Sequence, residues 1–271
     1  MLSFLFWNIN KKPIEGLISD LAKEHSIDII VLAESNIDHS VILKRLNSVN
    51  EPKFHHAKGN STKTVIYTNF SPSFVVALSE SKRISIRRFS LPARKNFLLV
   101  AVHMPSKMFF RDLDQEYEFI ALSTMIKEVE DKENDSNTII VGDFNISPFE
   151  NGALLAKGLN SVMTKNIAMK QTRTVSGIEY PFFYNPMWGK YGDTSDGPPG
   201  SIYYEQPGHI NYYWHILDQV LIRPNLISRF KEKELKIIDT IGSTSLLNDK
   251  GIPDVSVASD HLPIVFKMSD H

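Results

Sequence analysis

Short apolar runs of strand length recur along this whole chain, while only two or three stretches carry the spacing of a helical face. The strand candidates are residues 4–7, 27–32, 64–68, 74–78, 84–89, 97–102, 138–141, 217–222, 235–238 and 262–266. Helical spacing follows Pro13, where Ile14, Leu17, Ile18 and Leu21 share one face, and returns more weakly over residues 41–46. It is clearest over 112–132, where Phe119, Leu122, Ile126 and Val129 make one stripe and acidic residues gather at the start. Many strands with few helices imply an α+β chain of stacked sheets with helices packed outside. Residues 181–214, rich in aromatics, Gly and Pro and without steady periodicity, read as long loops.

The chain has 271 residues and no Pro/Gly/Ser-rich linker, so one domain over 1–271 is expected. A composition of 42% hydrophobic and 10% aromatic residues can fill a sizeable core. Charged residues make up 23% and balance to a net −1, which argues against a general polyanion-coating protein but leaves local basic clusters open. With no cysteine there are no disulfides, thiolate metal sites or thiol nucleophiles, so any metal must be held by oxygen or imidazole. The apolar start, residues 1–7, lacks a basic n-region and reads as a core strand rather than a signal peptide. No apolar run has the length of a membrane span, and a soluble, cytoplasmic location is expected.

Polar residues interrupt the strands at consistent places. Asn8, Glu34, His103 and Asp143 follow apolar runs, whereas Asp218 and the pair Asp260-His261 precede them. If the latter strands run antiparallel to the former, all six positions share one rim. Gly142 breaks the run 138–141 and delivers Asp143-Phe144-Asn145, where alternation would send both polar side chains to one face. The plainer alternative is a strand-end turn in which the Asp and Asn side chains bond their own backbone. His103 alone reads as a hydrogen-bonded rim histidine, and Asp218 alone as a buried ion-pair partner. Taken together, Glu34, Asp260 and Asn8 offer hard oxygen atoms suited to Mg²⁺ or Mn²⁺, and two histidines beside carboxylates offer acid and base. Asp218 could orient His261 and stabilise its protonated form, and Asn145 could donate to a phosphoryl oxygen.

The ordered set Phe6-Trp7-Asn8-Ile9, Leu32-Ala33-Glu34-Ser35, Val102-His103-Met104-Pro105-Ser106, Gly142-Asp143-Phe144-Asn145, Leu217-Asp218-Gln219-Val220 and Ser259-Asp260-His261-Leu262-Pro263 resembles the endonuclease/exonuclease/phosphatase superfamily, the deoxyribonuclease I-like metal-dependent phosphoesterases. The resemblance spans nearly the whole chain. It implies a four-layer α/β/β/α sandwich of two mixed β-sheets with helices outside and a cleft at one rim. It also implies that Glu34 binds a divalent metal, Mg²⁺ or Mn²⁺, with Asn8 and Asp260 in or beside its shell. Asp143 is expected to position or deprotonate water, Asn145 to hold phosphate, and His261 with Asp218 to serve as acid-base or phosphate-binding group. His103 matches a histidine that such enzymes pair with a further glutamate, for which Glu80 and Glu116 are the candidates here.

The expected activity is hydrolysis of phosphodiesters in DNA or RNA, so a nucleic-acid partner is expected. The alternatives are a phosphatase or phosphodiesterase for small phosphorylated metabolites or inositol phosphates, and a catalytically silent binding scaffold. Lys82, Arg83, Arg87, Arg88, Arg94 and Lys95, with Lys11, Lys12, Lys63 and Lys107, read either as a phosphate-backbone track or as a solvated basic hairpin. The aromatics of 182–214 read either as base-stacking rings or as loop anchors. Ser35-Asn36 follows Glu34 where abasic-site endonucleases of the superfamily usually carry Thr-Lys, which speaks against that specialised role.

Overall fold

A computed structural model describes residues 1–107 and 111–270. Its first half is built from β1 (Leu2–Asn8), α1 (Glu15–Glu24), β2 (Ile29–Ala33), α2 (His39–Val49), β3 (His55–His56), β4 (Thr64–Thr68), β5 (Val75–Glu80), β6 (Ile84–Phe89) and β7 (Phe97–His103). Helix α3 (Asp112–Glu133) and strand β8 (Thr138–Asp143) follow, and later strands include Asp218–Ile222 and Ile264–Met268. Two large mixed sheets result. The six-stranded sheet runs Lys236–Ile237, Ile264–Met268, β1, β2, β4, β3, and the seven-stranded sheet runs β5, β6, β7, β8, Asp218–Ile222, Phe183–Tyr184, Ser161–Val162. The architecture is the expected α+β sandwich.

The core strands lack clean alternation because both of their faces are buried. On β7, Leu99 and Ala101 enter the core between the sheets, while Leu98, Val100 and Val102 join Phe119, Leu122 and Ile126 of α3 on the other face. Burying each such side chain contributes roughly 1.5–3 kcal/mol relative to leaving it exposed. On the opposite side Ile18 and Leu21 of α1 and Ile42 and Leu46 of α2 are buried. Asp38 starts α2 by accepting a hydrogen bond from the Ser40 backbone N–H at 2.7 Å.

Each sheet has a parallel pair at its centre, β1 with β2 and β7 with β8, so their C-terminal ends emerge side by side. Ile264–Met268 runs antiparallel to β1, and Asp218–Ile222 antiparallel to β8. The strand beginnings Asp218 and Asp260-His261 therefore reach the same rim as the strand ends Asn8, His103 and Asp143.

Two local expectations change. Gly142 does not break its strand: it pairs with Val102, and a Cβ on it would lie 2.0 Å from the Val102 carbonyl oxygen. Only glycine permits that approach of β8 to β7. The segment read as long loops holds short strands at Phe183–Tyr184, Ile202–Tyr203 and Trp214–His215. Two-residue strands are too short to register as a period of two in sequence.

Candidate active site

Side-chain alternation puts polar groups in the last inward layer of the sandwich. His103 continues the inward series Leu99, Ala101; Asp143 continues Ile139, Val141; and Asp218 leads into Val220, Ile222. The three are register neighbours, His103 opposite Asp143 and Asp143 opposite Asp218. Asn8 extends the run of Phe4 and Phe6 from the facing sheet and donates its Nδ2 hydrogen to Asp143 Oδ2 at 2.9 Å.

Asp143 is the hub. Its Oδ1 accepts the Asn145 backbone N–H at 2.9 Å, and its Oδ2 lies 3.5 Å from His103 Nε2. Burial raises its pKa to about 7; His261 works against the rise and Asp218 adds to it. Asn145 turns away from extended geometry, with φ of 52°, and donates Nδ2 to the Met104 carbonyl at 3.0 Å. Its direction is thus fixed by a left-handed turn rather than by strand alternation, as the turn reading of this corner has it.

On one flank, His261 Nδ1 donates to Asp218 Oδ2 at 2.8 Å. Burial opposes the imidazolium, but the carboxylates of Asp218, Asp143 and Asp260 outweigh it and lift the pKa to about 10. Trp7 Nε1–H donates to the His261 carbonyl at 2.8 Å, and Ser259 Oγ donates to the Asn8 carbonyl at 2.7 Å and accepts the His261 N–H at 3.2 Å. The Asp218 backbone N–H donates to Ser201 Oγ at 3.2 Å.

On the other flank, His103 Nε2 lies 3.4 Å from Glu34 Oε1, and its buried Nδ1 has no hydrogen-bond partner among the described residues. Burial lowers its pKa to about 4, assisted by the charges of Lys63, Arg83 and His261. Glu34 leaves β2 in a left-handed conformation, φ 50°, and its carbonyl accepts the Lys11 N–H at 2.8 Å. A non-glycine residue held there costs on the order of 1–3 kcal/mol, a strain found where the surroundings dictate direction. The Glu34 carboxylate is also 3.9 Å from Lys11 Nζ. Asp260 sits further out, accepting from Asn10 Nδ2 at 3.0 Å.

Neither candidate glutamate reaches His103. Glu80 pairs with Arg87 at 2.5 Å and accepts from Ser85, and Glu116 accepts from Asn151. The basic series also divides. Arg87 is buried on Glu80, Arg88 pairs with Glu133, Arg94 pairs with Asp270 and Lys107 pairs with Glu150. Lys11, Lys63 and Arg83 are the ones that gather at the Glu34–His103 flank, Arg83 donating to the His103 carbonyl at 3.3 Å.

A hairpin of Ile202–Tyr203 and Trp214–His215 closes the His261 flank, with Ile202 bridged to His261. Tyr204 stacks on His215 with centroids 4.0 Å apart and planes 5° from parallel. Burial raises the Tyr204 pKa, and the charges reaching its hydroxyl include Glu150, Lys107 and Asp143. Ser201, Asn10 and His215 belong to no strand-end pattern in sequence, and Tyr204, one of the aromatics of 182–214, meets His215 only through the fold.

The family model described as endonuclease/exonuclease/phosphatase matches residues 5–271. The chain belongs to that family. It is accordingly a hydrolase of the phosphoesterase class. No curated protein matches at the sequence level. Solved structures of similar fold include a family protein from Leptotrichia buccalis C-1013-b, with TM-score 0.59, 15% identity and coverage of 99% of this chain and 100% of that one. A 3′ phosphatase from Neisseria bound to a product DNA hairpin gives TM-score 0.58 at 14% identity, covering 99% and 100%. An AP endonuclease from Archaeoglobus fulgidus gives TM-score 0.54 at 14% identity, covering 99% of both chains. Among the described residues no helix is long and apolar enough to cross a membrane.

Proposed function

We propose that this family member is a Mg²⁺- or Mn²⁺-dependent phosphodiesterase that hydrolyses nucleic acid, DNA or RNA, by in-line attack of an activated water. The observation that carries the reading is the placement of Asp143 between a charged Asp218–His261 pair and a histidine facing Glu34, with Asn8 bonded to its Oδ2.

The donor set suits a hard divalent cation. Glu34, Asp143 and Asp260 bring hard carboxylate oxygens to one rim beside the Asn8 amide, the donor type that such a cation takes. The side-chain neighbours of Glu34, the neutral His103 ring at 3.4 Å and Lys11 Nζ at 3.9 Å, lie beyond ordinary hydrogen-bond length. Glu34 would hold the metal, with Asn8 and Asp260 in or beside its shell. Asp143, Asp218 and His261 also bring ligand atoms within 4.8 Å of one another. Because Nδ1 of His261 is already bonded to Asp218, we assign that group to proton handling. When bound, the metal supplies neutralisation of charge on the phosphoryl and leaving oxygens.

The residues divide the rest. Asp143, its proton affinity raised by burial and its carboxylate oriented by Asn8, takes the proton of the attacking water. His261, kept cationic by Asp218, donates to a phosphoryl or leaving oxygen. Asn145 retains an amide N–H beyond the one given to Met104 and directs it at phosphate. His103 offers a neutral ring, so it serves as a hydrogen-bonding group rather than a cation. No covalent intermediate is needed.

Nucleic acid is favoured by the cleft's Lys11, Lys63 and Arg83 and by the DNA bound to the Neisseria neighbour. That neighbour's description as a 3′ phosphatase keeps small or terminal phosphate esters as the second reading. A silent scaffold would have no use for a strained glutamate and a buried Asp–His pair. The test is a panel of plasmid, single-stranded DNA, RNA and inositol phosphates with Mg²⁺ or Mn²⁺. Glu34→Gln, Asp143→Asn and His261→Ala should each lower turnover at least about a hundredfold. Undiminished activity of Asp143→Asn would sink the assignment, and cleavage of the inositol phosphates alone would replace the nuclease reading with the second one.

A further inference from the structure

The Ile202–His215 hairpin is more than a loop anchor. Ile202 forms a β-bridge with His261, and the Leu262 N–H donates to the Ser201 carbonyl at 2.7 Å, so the hairpin is fixed directly to the segment that leads from the catalytic histidine into Ile264–Met268. Tyr204 follows the bridged residue by two positions, about 7 Å of extended chain. Its ring is half-buried, already stacked in parallel on His215, and within the field of Asp143. Tyr212, 58% exposed, packs edge-on against His215 at 6.0 Å and against Phe149 at 5.4 Å. This flank presents ring surface where the opposite flank presents Lys11, Lys63 and Arg83.

An aromatic surface beside a phosphate site, facing a cationic one across it, matches the two halves of a nucleotide. Rings accept the flat face of a base and cations accept its phosphates. Within a duplex both faces of each base are covered by neighbours, so stacking on a protein ring requires an unpaired or extruded nucleotide. A lipid surface is the less suitable partner. The segment between the hairpin strands carries Glu205, Gln206, His209 and Asn211 around a single exposed aliphatic residue, Ile210, where membrane insertion calls for apolar bulk with a basic rim.

We propose that Tyr204 and Tyr212 form a stacking platform for an unpaired nucleobase adjacent to the scissile phosphate, which makes single-stranded or frayed nucleic acid the substrate class. This rests on the phosphodiesterase reading above and narrows it.

The test compares binding of a fluorescein-labelled single-stranded ten-nucleotide DNA with a base-free tetrahydrofuran backbone of the same phosphate count. Fluorescence anisotropy on the Glu34→Gln protein prevents cleavage during the measurement. The platform predicts that the base-bearing strand binds about 5- to 150-fold more tightly than the base-free one, the range for stacking one base. Tyr212→Ala should collapse that preference, and Tyr204→Leu, which keeps apolar volume while removing the ring, should do the same with an unchanged melting temperature. Equal binding of the two strands overturns the platform. So does a Tyr212→Ala protein that keeps its preference, or one whose only loss is binding to phosphatidylcholine vesicles. Hydrolysis of bis(p-nitrophenyl) phosphate by the wild-type protein with Mg²⁺, and its loss in Asp143→Asn, reads the phosphodiesterase chemistry separately, so failure of the platform and failure of the underlying activity are told apart.

Discussion

The two flanks of Asp143 each hold a buried histidine, and the two are in opposite charge states. His261 has a carboxylate on Nδ1 and is held cationic, whereas His103 has no Nδ1 partner among the described residues and is held neutral by burial and by the charges of Lys63 and Arg83. Both rings are more than nine-tenths buried, so burial alone cannot separate them. What separates them is the charge around each ring: His261 has Asp218 on Nδ1 with Asp143 and Asp260 close by, whereas Lys63 and Arg83 bear on His103. A sheet rim can thus hold two imidazoles in opposite charge states beside one carboxylate.

Removing the carboxylate is the most direct way to break this contrast. Asp218→Asn should lower turnover by about a hundredfold to a thousandfold, and imidazole ¹⁵N spectra should show His261 losing its charge near neutral pH. If the spectrum stays that of an imidazolium, Asp218 does not set the charge. His103→Gln retains an N–H group without the ring, and its loss of turnover should be about tenfold, an order of magnitude milder than the Asp218 substitution. A larger loss for His103→Gln would mean that the neutral flank carries the chemistry.

Gly142→Ala tests the spacing that keeps His103 beside Asp143. The added methyl meets the Val102 carbonyl, so the parallel strands must part, at a cost of about 1–3 kcal/mol read as a lowered midpoint in thermal or urea denaturation. The smallest expected effect concerns a histidine far from this chemistry. His56 stacks on His39 at 3.8 Å, and its pKa is lowered to about 4 by burial first, then by the charges of His39 and Arg87. The unfolded chain, at the ordinary 6.5, takes up that proton more readily than the folded one. Its stabilising contribution is therefore whole above about pH 6.5 and fades as pH falls towards about 4. His56→Asn should flatten that part of the stability profile, and an unchanged acid limb would refute the account.

Much of this arrangement is written in the chain because strand ends are local. Val100-Ala101-Val102-His103 and Val31-Leu32-Ala33-Glu34 each show an apolar run stopping at a functional group, and the alternation Leu99, Ala101, His103 even gives the inward direction. What local sequence does not carry is the partner at long range. Glu80 looked available to His103 until the fold buried it against Arg87, and Arg88 looked free for phosphate until it met Glu133. Ser201 is an ordinary serine in sequence, and its bond to Asp218 arises only where the hairpin meets the Asp218 strand, as the Ser259 bond to the Asn8 carbonyl arises only where the stretch before Ile264–Met268 meets β1. The hairpin itself was hidden because its paired strands are two residues long and its aromatics follow no fixed period.

The bond from the Trp7 indole to the His261 carbonyl spans 254 positions of sequence. During synthesis the first of these residues leaves the ribosome long before the second exists, and the strand after His261 is the one that must slide in beside β1. Until Ile264–Met268 arrives, one edge of β1 stays open, and Trp7 and Asn8 lack the His261 and Ser259 bonds that join the two distant stretches of the chain.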